Sequence, residues 1–329
     1  MKREQGIDLL RVISCIFVVG LHTLMPGQGI INRIFSVSGA VCIPLFWMAS
    51  GFGIGLKQKV TMKYTMKKIL RILLVCFTWE FCHAMVMFVL TGNMRNFISS
   101  YLLDFVQKGL FFHFWFMGTM IILYLLAPVV INIAAQNKIK ILIIVLMVLN
   151  LLLDVLSYRG MSAFLKIPSS ARVWTYELYF VLGYAAAKNK DKIRAYRMQM
   201  NRIITAAAGM FAMILMCVWI SYVKDSIDPT RGYGDFHMSI PVIIASATVF
   251  YAIGFSDIRG KWIGRLIGLV MGIYIIHRFV LAVLDKILPA FTSGGSALNL
   301  LFWLLTTASS AVATLIMTKI PLVKEMVRL

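Results

Sequence analysis

The sequence predicts an all-α, polytopic membrane bundle of about ten transmembrane helices, and three observations carry that reading. Hydrophobic residues make up 60% of the chain and charged residues only 14%, with a mean hydropathy of +0.85. Apolar runs of about 20 residues recur along the chain, the length a helix needs to cross a hydrocarbon core of about 30 Å. A transmembrane barrel would instead show alternating segments of about 10 residues, and none is evident. Third, basic residues gather in alternate connections, the charge bias that sets the orientation of a multi-span protein.

The expected spans run in order. The first, 7–25, is apolar yet carries Asp8, Arg11 and His22; no small-residue cleavage site follows it, so it reads as a retained helix and not as a signal peptide. The second, 37–56, ends on small residues around Ser50-Gly51-Phe52, which favour close helix approach. The third, 69–91, is entered through the basic run Lys63, Lys67, Lys68 and Arg71 and holds Glu80 and His83. The fourth, 111–134, opens on the aromatic run His113 to Phe116, suited to a membrane interface. The fifth, 139–156, is aliphatic with Asp154 late, and the sixth, 173–187, is short with Glu177 early. The seventh and eighth are 203–223 and 238–254; the ninth, 266–285, carries His277 and Arg278, and the tenth is 297–318.

The connections that hold Lys2 and Arg3, Lys57 to Arg71, Lys138 and Lys140, Lys188 to Arg202, Arg259 to Arg265, and Lys319 to Arg328 are the basic set. The opposite set has only scattered cations such as Arg33, Arg95, Arg159 and Arg231. The positive-inside rule then places both termini in the cytoplasm. The formal charge of +20 follows from this topology, so nucleic acid is not among the expected partners. The five cysteines fall in apolar segments without CxxC spacing and read as small core residues.

Ionisable groups inside a spanning helix are costly and mark functional candidates. Arg11 and His22 are eleven residues apart, which brings them within about 20° of one helix face and about 16 Å apart along the axis. Asp8 and Arg11, at i and i+3, can pair. The bland alternative has Arg11 snorkelling to the headgroups and His22 bonding a neighbouring helix. On the expected topology His22, Glu80, His83, Asp154, Glu177 and His277 all fall in the outer half of the membrane, which points to a polar cavity open to the exterior. His22 suits proton transfer at neutral pH, and a carboxylate would orient its ring. Glu80, Asp154 and Glu177 qualify on depth alone. No HExxH or paired zinc-ligand spacing is present, so no metal is expected.

The pattern Arg11–X10–His22 within IDLLRVI…VVGLHT resembles the membrane acyltransferase-3 family, bacterial O-acyltransferases of cell-surface glycans. Further marks occur in the family's order: IPLFWMASGF at 43–52, KKILRI at 67–72, HFWFMGTMIILYLLAP at 113–128, YFVLGY at 179–184 and GIYIIH at 272–277. Two departures are the lysines at 67 and 68, where arginines are commoner, and Arg278, where proline usually follows the histidine. The resemblance implies a stand-alone transmembrane acyltransferase domain over residues 1–329 with no soluble domain. It implies transfer of an acyl group, expected to be acetyl, from cytoplasmic acyl-CoA to a hydroxyl of an extracytoplasmic or lipid-linked glycan, at a bacterial cell membrane. His22 would be general base or acyl carrier, and Arg11 with Lys67, Lys68 and Arg71 the donor-binding cations. Depth, and not the resemblance, makes Glu80 a catalytic candidate beside His22, with Asp154 and Glu177 left open. The partners are then acyl-CoA, a glycan acceptor, the lipid bilayer and, as an open alternative, a second copy in a homo-oligomer. The rival reading is a transporter-like module that moves a small polar substrate without covalent chemistry.

Overall fold

The structure is a computed structural model that describes residues 4–24, 27, 29–92, 97–109, 111–161, 163–321 and 323–327. Lys2, Arg3, Met25, Arg95 and Arg328, used above to set spans and charge bias, lie outside the described residues. All regular structure among the described residues is helical. In chain order the α-helices are α1 (Gln5–Thr23), α2 (Ile30–Gly55), α3 (Met62–Thr91), α4 (Phe97–Asp104), α5 (Trp115–Ala135), α6 (Ile139–Tyr158) and α7 (Val173–Lys188). They continue with α8 (Lys190–Gln199), α9 (Arg202–Tyr222), α10 (Ile240–Gly254), α11 (Lys261–Ile267), α12 (Val270–Ile287), α13 (Pro289–Ser293) and α14 (Ser296–Lys319).

Each expected span coincides with a helix, but the helices are not equal. Seven of those described are long and apolar enough to cross a membrane: α1, α2, α3, α5 with the 3-10 turn before it, α6, α9 with the turn after it, and α14. The ninth expected span is broken. It begins as α11, bends by 51° and continues as α12, and the pair makes an eighth crossing if taken together. The helices α7 and α10 have 16 and 15 residues, about 24 and 22 Å at 1.5 Å per residue, short of a full hydrocarbon core. Local chemistry sets other boundaries. The third helix starts at Met62, two turns earlier than its apolar run, because the Thr61 hydroxyl accepts the Tyr64 N–H at 3.2 Å. It stops at Gly92, whose φ of +68° is the left-handed cap that glycine adopts without strain.

The centre of the bundle is α1, buried along most of its length and touching α2, α10, α12 and α14. The closest pairing is α2 on α7. A Cβ on Gly51 would sit 1.9 Å from the Phe180 carbonyl oxygen, and one on Gly183 would sit 1.9 Å from that of Met48. Backbone therefore packs on backbone, and the SGF and LGY stretches are its two sides. By contrast α6 and α9 turn Ile141, Ile144, Val148, Ile203, Phe211 and Val218 outward, the apolar surface that suits lipid. Cys15, Cys42 and Cys76 are buried and Cys82 is exposed, with no disulfide among them.

Contacts separate two ends. At one, Glu4 meets Arg194 at 2.6 Å and Lys190 at 3.7 Å, and the start of α1 lies on the end of α10, where a Cβ on Gly6 would be 2.4 Å from the Gly254 oxygen. At the other, Asn299 accepts from Asn32 at 2.9 Å and donates to the Thr23 carbonyl at 3.1 Å. The basic segments 57–71, 188–202 and 257–265 belong to the first end.

Candidate functional site

The polar stripe of α1 opens onto two cavities. Around Arg11 lies one of about 300 Å³, lined also by Ser50, Lys68, Arg71, Tyr124 and Tyr274. The Arg11 guanidinium donates to the Ala49 carbonyl at 2.9 Å and lies 3.9 Å from where a Cβ on Gly53 would be. The small residues after Ala49 thus leave room for the cation against α2. Arg11, Lys68 and Arg71 are brought together. Lys67 is not: it faces a neighbouring cleft with Arg71, Glu325 and Met326. There the C-terminal segment folds back on α3, with Glu325 on Arg71 at 2.7 Å and Trp79 Nε1 donating to the Met326 carbonyl at 2.9 Å.

Around His22 lies a second cavity of about 470 Å³, lined by His113, Trp115, Arg172, Asp235, His237 and Tyr274 among others. The His22 ring stacks on His277 at 5.3 Å between centroids and meets the edge of Phe112 at 5.3 Å. His113 is 5.1 Å from the same His277 ring. His277 Nδ1 lies 2.7 Å from the Tyr274 carbonyl; a carbonyl only accepts, so Nδ1 carries the proton and Nε2 is the basic nitrogen. That Nε2 is buried without a hydrogen-bond partner among the described residues. Arg278 follows His277 where proline is usual. The Arg278 guanidinium sits 4.6 Å over the Phe112 ring, the same ring that meets His22 edge-on, so a cation stands one ring away from the His22–His277 stack.

The carboxylates divide differently from the expectation. Glu80 lines neither cavity: its carboxylate is 3.9 Å from His83 Nδ1 on the same helix and is buried beside Asp104 of α4. Asp104 accepts the Phe111 N–H at 2.8 Å, and burial first, then the Glu80 charge, raises its pKa above the usual carboxylate range. Glu80 therefore braces α3 against α4 and the turn before α5. Asp154 is paired with Arg231 at 2.6 Å, both nearly fully buried. Glu177 is buried in α7 with neither oxygen hydrogen-bonded among the described residues. No carboxylate hydrogen-bonds His22 among the described residues; its immediate neighbours are rings.

The wall of the His22 cavity comes from two connections that sequence reasoning passed over. Residues 165–172 and 228–239 are clamped together by an Arg172–Asp235 ion pair. Arg172 also donates to the Ile167 carbonyl at 3.0 Å and the Leu165 carbonyl at 2.5 Å. Arg231 adds a bond to Ser157 at 3.0 Å and stacks on Tyr158 at 4.3 Å. His237 lies in this wall, and burial, aided by the Arg172 charge, lowers its pKa to about 3. The two cavities meet at Tyr274, which lines both. Its hydroxyl donates to the His113 carbonyl, and its ring packs on Phe116 at 5.5 Å. The aromatic run at the start of α5 straddles this partition, with Trp115 on the His22 side and Phe116 on the Arg11 side. Among the described residues, no group of three His, Cys, Asp or Glu side chains is arranged to hold a metal ion.

A family model described as an acyltransferase domain, acyltransferase-3, matches residues 4–319. No curated protein and no solved structure matches the chain. With both cavities and the whole first helix inside the matched region, the chain belongs to the acyltransferase-3 family and is a multi-pass acyltransferase of the plasma membrane.

Proposed function

We propose that the protein takes an acyl group, acetyl in the first instance, from acyl-CoA at the Arg11 cavity and delivers it to a hydroxyl of a glycan or lipid-linked sugar at the His22 cavity. The observation that carries this reading is the pair of cavities on one face of α1, cationic at one end and imidazole-lined at the other, with Tyr274 as their common wall. The donor is a polyanion whose phosphates and thioester lie at opposite ends of an extended arm. The rise of about 16 Å between Arg11 and His22 fits that shape. Arg71 offers a fork for a phosphate, and Lys68 a point charge.

In the reaction His22 takes the acceptor's hydroxyl proton as the oxygen attacks the thioester carbonyl at the Tyr274 wall. The tetrahedral adduct collapses, the C–S bond breaks, and the imidazolium returns the proton to the departing thiolate. A two-step route through an acyl-imidazole on His22 uses the same atoms. His277 takes the place of the expected carboxylate, packing the His22 ring on one side while Phe112 holds another. Trp115 gives the acceptor cavity a flat apolar face, and the Arg172–Asp235 pair gives it a polar rim, a combination suited to a sugar ring.

The proposed topology counts α7, α10 and the α11–α12 pair as spans, giving ten, with both termini and loop 188–202 in the cytoplasm. That loop holds six basic residues and one acid, and short helices are accommodated by local thinning of the bilayer. A cysteine placed at Asn189 on a cysteine-free background should resist a membrane-impermeant thiol reagent applied to intact cells; labelling from outside would reverse the orientation. The activity itself is tested with purified protein, acetyl-CoA and a panel of aryl glycosides. Release of the coenzyme A thiol should depend on an acceptor, with acetyl appearing on the sugar. Acetyl-CoA that is bound but never consumed with any sugar would overturn the O-acyl transfer reading.

A further inference from the structure

A third cavity belongs to neither end of the polar stripe. It is a groove of about 700 Å³ between α1, α2, α9 and α10, and none of its lining residues lines the Arg11 or His22 cavity. Phe17, Val41, Leu45, Met213 and Val249 form apolar walls. The space exists because small residues face it: a Cβ on Gly209 would meet only the Ala252 Cβ, at 3.8 Å. The mouth is different in kind. Arg197, Arg202, Ser256 and Asp257 line it, and both Arg197 Nε and Ser256 Oγ are buried without a hydrogen-bond partner among the described residues. Two unmatched donors at the end of an apolar slot ask for an anionic or strongly accepting head on an apolar tail.

The setting narrows the occupant. Arg197 sits on α8, a short helix at the basic end of the bundle that exposes Tyr196 and Met198 beside its lysines and arginines. Such a segment lies in the headgroup layer and attracts anionic lipid. Lys190 and Arg194 are engaged by Glu4, and Arg202 shares Asp257 at 3.3 Å, which leaves Arg197 as the principal cation of the mouth. An acyl donor is a poor occupant, because His22 and the Arg11, Lys68 and Arg71 cations all lie outside the groove.

We propose that this groove binds an anionic glycerophospholipid, its phosphate on Arg197 and Ser256 and one acyl chain lying between α2 and α9. The lipid fills the space that small side chains leave and ties α9 and α10 to the central helix. This inference does not depend on the acyl-transfer reading.

The test uses the full chain in phosphatidylcholine nanodiscs containing a minor fraction of phosphatidylglycerol with a mid-chain diazirine. Photolysis and peptide mapping should place the label on 38–45 and 206–213. One basic residue near the membrane surface is worth about five-fold in anionic-lipid affinity, so Arg197→Gln should cut labelling about five-fold. Gly209→Leu, which fills the slot, should bring it near background. Equal labelling by the phosphatidylcholine analogue, or label spread over the outward faces of α6 and α9, would overturn the proposal. Displacement by polyprenyl phosphate in preference to unlabelled phosphatidylglycerol would overturn the glycerophospholipid assignment. Should Gly209→Leu fail to fold, the Arg197→Gln result and the wild-type lipid comparison decide.

Discussion

The α2–α7 contact supports a prediction whose sign differs between two glycines on one helix. A Cβ on Gly51 would stand 1.9 Å from the Phe180 carbonyl oxygen, where ordinary contact begins at 3.4 Å, so the helices must part by about 1.5 Å. The obstructing atom is backbone and cannot rotate aside. Overpacking costs about 1–3 kcal/mol, and this case belongs at the upper end. Replacing glycine by alanine in a helix returns about 1 kcal/mol, leaving Gly51→Ala destabilised by about 2 kcal/mol. Gly53→Ala meets only the Arg11 guanidinium at 3.9 Å, an ordinary contact, so it should be neutral or more stable by up to about 1 kcal/mol. Equilibrium titration with SDS in mixed micelles measures both. Trp47 fluorescence is a suitable probe because that ring packs on Tyr176 at 4.0 Å between the same two helices. If the two variants unfolded at the same SDS fraction, the close contact would not exist, and the placement of Ala49 against Arg11 would fall with it.

Other consequences concern the walls of the two cavities. His237 is held neutral, its pKa lowered to about 3 by burial and then by Arg172, while the unfolded imidazole titrates near 6.5. The unfolded state thus binds the extra proton first, and stability is lost as pH falls from about 6.5 toward 3, by at most about 1.4 kcal/mol per pH unit. His237→Gln should flatten that part of the stability curve; parallel curves would show that the histidine is solvated. At the donor end, Lys68→Gln and Arg71→Gln should raise the KM for acetyl-CoA with kcat nearly unchanged, and Lys67→Gln should do so less, because only the first two line the Arg11 cavity. Glu325→Gln should act in the opposite direction. It frees Arg71 from an exposed ion pair worth about 0.2–1 kcal/mol, so KM should fall by about 1.4- to 5-fold. A raised KM would mean that Glu325 positions Arg71 for the donor.

The parts of this molecule that read well from sequence are those whose signal is local. The apolar runs located every major helix, and the eleven-residue spacing put Arg11 and His22 on one face of α1. Glycine at 51 pointed to close helix approach without naming its partner, the Gly183 stretch of α7. What escaped depends on contacts between distant segments. Asp154 was visible as a costly charge, but its partner Arg231 is 77 residues away on a connection with no periodic signal. Glu80 shared a depth with His22, and depth carries no azimuth; its neighbour Asp104 sits on α4, an eight-residue helix too short to register as a span. Tyr274 lay inside the GIYIIH stretch, unremarked because an aromatic in a spanning helix is ordinarily packing. The break between α11 and α12 was hidden by a continuous apolar run across Gly268.

Proton transfer by His22 is the central step of the proposed reaction, and turnover of His22→Gln tests it most directly. Acetyl transfer to sugar should be measured beside coenzyme A binding and the SDS unfolding midpoint on the same preparation. General-base catalysis contributes about 10²–10⁴-fold, and glutamine can hydrogen-bond but cannot take the proton at neutral pH. The expected result is a stable protein that binds coenzyme A as the wild type does and transfers acetyl at least about 100-fold more slowly. Near-normal transfer by that variant would contradict the account and leave the α1 histidine a packing residue.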